Sequence, residues 1–313
     1  MLGSKSSLED TKTSGHKLLS VCRFCKSNNT IKKGFRVTEK RGKIQRFICR
    51  DCKRSFCIDE GFYRMRNPED KITQAIDLYF SNLSSRKVRN YFRRHRKENA
   101  THVTILDWCR RYVLKVTKYI NNLQPQLSGK MYADETEIDC EKRNDIFWCC
   151  VDWDTRYINA THYNTITQDL EEATAFMKKI RQSKRYPKYI QTDAGVFYST
   201  AFTSVFYSRY KEHKVEHIVI NHSKTGRYNV RIETVFSKIK DRVDDFRGLK
   251  SLWSAPILLQ GIIIQHNWIE AHTTTGQVPC ELAGLKQKLG INRWLGLIRL
   301  ASFVECYAKV KIN

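Results

Sequence analysis

Three observations predict a multidomain chain in which two small amino-terminal units precede an α/β domain with further helices at its carboxyl end. Two Cys-x-x-Cys pairs, Cys22 with Cys25 and Cys49 with Cys52, bracket a short strand-like stretch. From Glu69 to Tyr119, apolar residues recur at helical spacing in three runs separated by polar breaks. Beyond Lys130, three runs of alternating apolar and polar residues give way to helix and strand signals in alternation, the pattern of an α/β layer.

The whole-chain composition bounds the function. A length of 313 residues and a hydrophobic fraction of 41% suffice for a sizeable core and more than one domain. Lys and Arg number 56 against 32 Asp and Glu, a formal net charge of +24. Such an excess attracts polyanions and predicts salt-sensitive binding to nucleic acid. Anionic membrane is the competing partner, but the longest apolar runs, such as Ile257 to Ile264, are too short to span a bilayer. With Lys5, Glu9, Asp10 and Lys12 so early, no signal-peptide core is expected. A soluble, intracellular protein is therefore expected, in cytoplasm or nucleoid if prokaryotic, with no membrane partner. The 11 cysteines are odd in number and do not resemble the dense disulfide framework of a small secreted domain.

Residues 1–19, rich in Ser, Lys and Thr, read as a flexible tail. Over 20–60 the two thiolate pairs suit a tetrahedral zinc, each pair gripping one side. Between them, Ile31 to Val37 and Ile44 to Ile48 alternate like two strands around Arg41-Gly42, so the segment reads as a zinc ribbon. So small a unit has too little core to fold without a staple. Cys57 falls outside the pattern and reads as a packed thiol. The ribbon carries many Lys and Arg, Lys32, Lys33, Lys40 and Arg41 among them, and suits either phosphates or a protein partner.

Residues 66–120 read as a helix-turn-helix domain. A helix from Glu69 to Leu83 puts Ile72, Ala75, Ile76, Tyr79 and Phe80 on one face. Ser85 is a candidate cap for a second helix through Arg86, Lys87 and on to His95, and a third runs from Thr101 or His102 to Tyr119. The basic second and third helices suit a recognition helix in the major groove, with Thr101, His102, Thr104 and Asp107 as reading residues and Arg86 and Lys87 toward phosphate. Arg93 to Lys97 then reads as a phosphate-facing helix end. Residues 121–129, polar with Pro125 and Gly129, form a linker.

Over 130–275, strands are expected at 130–138, 145–152, 156–164, 188–193 and 217–221, with helices from 167 to 183, 199 to 210, 228 onward and 253 to 271; the segment 276–313 adds a helix at 292–308. Asp134 stands in a strand-like run and Asp193 ends another. Glu233 sits in a run whose Ile232, Val235, Phe236, Ile239 and Val243 recur at helical spacing. Carboxylates delivered from strand, strand end and helix are what a cage of hard oxygen ligands for divalent metal needs. Among 32 acids, three at chosen positions carry weight only through that context. Glu135, Glu137, Asp139, Asp152 and Asp154 read as solvent-facing or turn residues, and Phe147 to Val151 as core. His222, His266 and His272 are candidates either for phosphate contact or for satisfied structural histidines. Arg231, Lys238 and Lys240 are candidates to hold DNA beside Glu233, and Asn229, one turn earlier, to orient substrate.

From Tyr132 to Leu285, about half the chain, the sequence resembles the DDE transposases of bacterial and archaeal insertion sequences, which share the retroviral-integrase or RNase H-like fold. The resemblance rests on Tyr132-Ala-Asp134-Glu-Thr-Glu-Ile138, on Phe147 through Ile158, on Ile190-Gln-Thr-Asp193-Ala-Gly195 and on Asn229-Val-Arg-Ile-Glu233. It continues in Gln265-His-Asn-Trp-Ile-Glu-Ala-His272 and in Gly276 through Gly284. It implies that Asp134, Asp193 and Glu233 bind catalytic Mg²⁺ or Mn²⁺, and that a zinc ribbon and helix-turn-helix recognise terminal inverted repeats in double-stranded DNA. It also implies cleavage that frees a 3′ hydroxyl, strand transfer into target DNA by that hydroxyl, and a homo-oligomer holding both element ends. Two other classes stay open: a catalytically silent, transposase-derived DNA-binding regulator, and an RNase H-like nuclease.

Overall fold

The computed structural model describes residues 21–38, 42–58, 60–96, 99–165, 168–182, 187–210, 214–221 and 230–308. The tail expected over 1–19 lies outside them, as do Lys40, Arg41, Lys97, His222 and Asn229. The chain divides into two compact units, Met1–Arg66 with Phe303–Asn313, and Asn67–Ser302.

In the first unit, β1 (Thr30–Thr38), β2 (Gly42–Cys49) and β3 (Ser55–Cys57) form an antiparallel sheet in that order. The alternation along β1 buries little: Phe35 and Val37 are exposed on it. The core is small, made of Cys22, Phe47, Cys49 and Phe56, with Cys52 and Ile58 packed against it. Half of its buried members are thiols of the paired motifs. Cys57 is half-buried.

The second unit opens with α1 (Glu69–Phe80), α2 (Ser85–His95) and α3 (His102–Ile120). Glu69 and Asp70 complement the positive end of α1. Ser84, not Ser85, caps α2, its hydroxyl accepting the Lys87 N–H at 3.3 Å, so the helix starts a residue early. Thr101 caps α3 by accepting from Thr104 N–H at 3.1 Å. Between Ile105 and Val116, α3 buries Trp108, Cys109, Tyr112 and Val113.

The central sheet has the order β6-β5-β4-β7-β8. β4 (Lys130–Cys140), β5 (Arg143–Asp152) and β6 (Ile158–Asn164) are the antiparallel meander, while β7 (Tyr189–Asp193) and β8 (Glu216–Ile220) run parallel to β4. β4 and β5 reach further than the sequence indicates, because Glu141 and Lys142 both take positive φ in a two-residue turn. Neither residue type announces that conformation. Two helices, α4 (Leu170–Gln182) and α5 (Val196–Phe206), cover one face, their Phe176 and Tyr198 rings packing on Trp148. α5 starts three residues before the position expected, directly after Gly195.

α6 (Val230–Asp245) buries Ile232, Val235, Phe236, Ile239 and Val243, the five positions of its helical period. It packs on β4 and β5. The helix expected over 253–271 is α7 (Ala255–Ile264), packed on α3, followed by a π turn at Gln265–Ile269. Gln265, His266, Asn267 and Trp268 are all buried in it, continuing the buried run of Gly261 to Ile264 in α7. α8 (Pro279–Leu282) and α9 (Arg293–Ala308) complete the described chain. No helix among the described residues is long and apolar enough to cross a membrane.

Candidate catalytic site

The register of two parallel strands brings the aspartates together. Tyr132 on β4 pairs with Gln191 on β7, so two residues further on Asp134 stands level with Asp193. Side chains two apart share a face of a sheet, and both carboxylates therefore project to the same side. Each is tied to the backbone beside it: Asp134 Oδ1 accepts the Glu135 N–H and Asp193 Oδ1 the Gly195 N–H, both at 3.0 Å. A Cβ at Gly195 would meet Asp193 Oδ1 at 3.1 Å and the Tyr198 ring at 3.1 Å, so only glycine passes here without displacing a neighbour.

Glu233 stands exposed on α6, the helix laid over β4 and β5, and its charge reaches Asp134. Burial first, then the charges of Glu135, Asp193 and Glu233, push the Asp134 carboxyl up to about 8. Carboxylates from three elements, acting on one another's charge, are a donor set that suits hard divalent ions and leaves room for substrate oxygens. They are looser than the thiols: among the described residues only the four cysteines bring ligand atoms within 4.8 Å of one another. Arg231 lies in α6 with its side chain outside the described residues, Lys238 is half-buried, and Lys240 is exposed.

Two acids read as solvent-facing or turn residues are neither. Glu135 is half-buried and accepts a hydrogen bond from the hydroxyl of Tyr198, which is itself buried in α5. Its carboxyl is raised to about 7, by burial above all. Asp152 is fully buried and accepts four hydrogen bonds, from Ser128 Oγ (2.8 Å), Gly129 N–H (3.1 Å), Thr155 N–H (3.1 Å) and Thr155 Oγ1 (2.8 Å). That clamp fixes the entry to β4, where the Gly129 carbonyl also accepts the Lys188 N–H at 2.8 Å ahead of β7. Asp152 thus acts on the site through the backbone. Glu137, Asp139 and Asp154 are exposed as expected, and Phe147 to Val151 are buried. Tyr198 went unmarked in the sequence, since a buried tyrosine needs a partner for its hydroxyl but does not say which. His266 is structural: it is buried, and its Nε2 donates to the Arg156 carbonyl at 2.9 Å.

In the first unit, Cys22 Sγ lies 3.5 Å from Cys52 Sγ, and Cys25 Sγ 3.4 Å from Cys49 Sγ. Four sulfurs each about 2.3 Å from one tetrahedral zinc stand a little under 4 Å apart, so the set fits that metal. Each Cys-x-x-Cys pair wraps in a turn that passes through a residue of positive φ, Lys26 in one and Lys53 in the other. The Cys52 N–H, donating to the Cys49 thiol, leads the effects that lower it to about 7, which favours the ligating thiolate.

Among the other sequence candidates, Arg86, Lys87 and His102 line one cleft of about 620 Å³ between α2, α3 and the turn after α6. Lys87 meets Asp245 there at 3.7 Å. Thr101 and Thr104 spend their hydroxyls on the α3 cap, 2.9 Å from each other.

Residues 128–272 match the model of a family described as a DDE domain. A comparison with curated proteins returns no match. Among solved structures, the chain is similar to the HTLV-2 integrase catalytic core domain in complex with magnesium (trimeric form), at 16% identity and a TM-score of 0.36 over 51% of this chain and 98% of that one. It is similar to a chain of the simian T-cell lymphotropic virus intasome in complex with PP2A regulatory subunit B56 gamma, at 14% identity and 0.39 over 69% and 76%. It is also similar to the Drosophila P element transposase strand transfer complex, at 8% identity and 0.34 over 80% and 82%.

Proposed function

We propose, from the match of residues 128–272 to the DDE-domain family, that the chain is a DDE transposase, and from that premise how it works on DNA. The reading is of a polynucleotidyl transferase that binds the ends of a mobile element, cuts there to free a 3′ hydroxyl, and joins that hydroxyl to target DNA. What supports it most is the parallel pairing of β4 with β7, which puts Asp134 and Asp193 on neighbouring strands, with the charge of Glu233 on α6 acting on Asp134 as well.

In this reading the three carboxylates hold divalent magnesium or manganese. When bound, two such ions stabilise the negative charge that builds on the entering and leaving oxygens of an in-line displacement. Asp134 and Asp193 are held ready by their hydrogen bonds to Glu135 N–H and Gly195 N–H. Glu233, exposed on its helix, closes the donor set from above the sheet.

The division of labour follows the chain: a zinc ribbon at 20–60, a helix-turn-helix at 66–120, a catalytic domain at 130–275 and a helical segment at 276–313. The capped starts of α2 and α3, and the exposed Arg86 and Lys87, support a duplex-DNA reading of the three helices. In it, Thr101, His102 and Thr104 lie toward base edges, and Arg231, Lys238 and Lys240 toward the DNA end. A homo-oligomer holding two ends, at work inside the cell where that DNA lies, completes the proposal.

The test is Asp193→Asn in the full chain, assayed on duplexes carrying the repeats that flank the gene. Loss of Mg²⁺-dependent cleavage with DNA binding intact supports the reading. Unchanged cleavage refutes the metal site. A wild-type chain that binds those duplexes but never cuts them is a regulator, and one that cuts only an RNA–DNA hybrid is a nuclease of another kind.

A further inference from the structure

Tyr198 reaches the neighbours of both aspartates, Gly195 beside Asp193 and Glu135 beside Asp134. Its ring is buried in α5 with a Cδ2 edge against Gly195, leaving no room for a Cβ between them. Gly195 is the residue whose N–H holds Asp193. At the far end of the ring, the hydroxyl donates to the carboxylate of Glu135. Glu135 is the residue whose N–H holds Asp134. One rigid side chain therefore spans from the turn that fixes one aspartate to the strand residue that fixes the other.

The span is itself braced. Trp148 stands opposite Glu135 in the β4–β5 register and packs edge-on against Tyr198, ring centroids 5.8 Å apart at 78°. Its indole N–H donates to Asn164 Oδ1 at 2.7 Å, which stops the indole from rotating away. The Tyr198 backbone N–H returns to the Gly195 carbonyl at 3.2 Å, so ring and turn move together. Parallel strands are joined across β4 and β7 only over Lys130–Tyr132, short of the aspartates themselves. Beyond Tyr132 no β4–β7 pairing is made; Asp134 is in register with Cys149 of β5 and Asp193 with Ile220 of β8, so Tyr198 is a side-chain bridge across the gap between them.

We propose that Tyr198 is a positioning residue that sets the distance between Asp134 and Asp193, through Glu135 at one end and Gly195 at the other. The proposal rests on the reading of the two aspartates as metal-holding groups. It assigns Glu135 the part of an anchor on the opposite face of the sheet from Asp134, with no contact to metal or DNA.

Manganese binding by the full-length, zinc-loaded chain tests this without any DNA substrate, followed by the loss of the free-ion resonance as protein is added. Tyr198→Phe removes the hydroxyl and keeps the ring, and is expected to weaken Mn²⁺ binding about tenfold or more, the usual effect of removing a group that orients a ligand. In a Glu135→Ala background the same change should add nothing, because the bridge is already broken. Unchanged Mn²⁺ binding in Tyr198→Phe overturns the proposal, as does a full further loss in the Glu135→Ala background. Asp134→Asn is the control on the underlying reading: if it binds Mn²⁺ like wild type, the metal site itself is wrong, whereas if it alone loses binding, only the bridge is. Should Tyr198→Phe fail to fold, Glu135→Ala is compared with Glu135→Gln, which keeps an acceptor for the Tyr198 hydroxyl: weaker Mn²⁺ binding in the alanine variant than in the glutamine variant supports the bridge, and equal binding overturns it.

Discussion

Phe80 at the end of α1 lies across Gly261 in α7, with ring carbons inside 3.0 Å of the place a Cβ at Gly261 would occupy. The same ring stacks on Trp294 of α9 at 5.8 Å, so three helices share one contact. Gly261→Ala should therefore destabilise the chain by about 1–3 kcal/mol, as overpacking does, although alanine is the better helix former. In a Phe80→Ala background, itself costing about 3–5 kcal/mol, the space is open and the same substitution should instead stabilise by up to about 1 kcal/mol. Urea denaturation of the four proteins checks the reversal of sign. A Gly261→Ala chain as stable as wild type would mean the ring is not seated there.

That contact was not legible in the sequence, and the reason is general to this fold. The period of α6 could be read because its apolar face lies on one continuous surface, formed by β4 and β5. Asp134 and Asp193 were legible as one acid within a strand and one at a strand's end, but not how the two strands align, since register is a property of the pair. Glu135 escaped because alternation predicts which face a side chain takes, not what waits there, and what waits is Tyr198. The cysteine pairs were plain, since their spacing is local and their chemistry specific.

Arg242 on α6 makes two hydrogen bonds to Glu270, at 2.8 and 2.7 Å, and a third to Asn82 Oδ1 at 3.1 Å. Gln265 joins the same network, donating to Asp77, Ser81 and Glu270 at 3.0–3.1 Å while accepting from the Trp294 indole at 2.8 Å. The guanidinium is nearly buried, while the Glu270 side chain is 38% exposed and Asn82 is exposed, so removing the arginine loses its hydrogen bonds but leaves its partners within reach of water. Arg242→Met should cost about 1–2 kcal/mol, and the double change with Glu270→Met should recover part of it. A thermodynamic cycle from chemical denaturation measures the coupling, and simple addition of the two single effects would contradict this account.

His266 gives the chain an acid-sensitive element. Burial first, then nearby positive charge from Lys238, His272 and Arg242, lowers its imidazole to about 4 from an ordinary 6.5, against the opposing pull of its bond to the Arg156 carbonyl. Between those values the unfolded chain binds the proton and the folded chain does not. Its contribution is therefore complete above about pH 6.5 and is lost as the pH falls toward 4, roughly 3 kcal/mol at the limit. His266→Gln, which keeps a donor for Arg156, should flatten that part of the profile. Stability measured at pH 7.5 and 4.5 decides it: an equal drop in both proteins would show that other groups carry the acid sensitivity.

The first unit should stand or fall with its metal. Its buried core consists of Cys22, Phe47, Cys49 and Phe56, and two of those four are thiols that the zinc reading engages. A core so small does not offset the entropy of ordering the strands around it, so binding free energy must supply the difference. The purified chain should carry one zinc, and stripping it with a chelator should open 21–66 to proteolysis while 67–302 keeps its near-ultraviolet circular dichroism. Cys25→Ser should do the same without a chelator, since three thiolates leave the tetrahedron incomplete. A metal-free chain whose β1–β3 segment still resists protease would show that the sheet is held by something other than the four sulfurs.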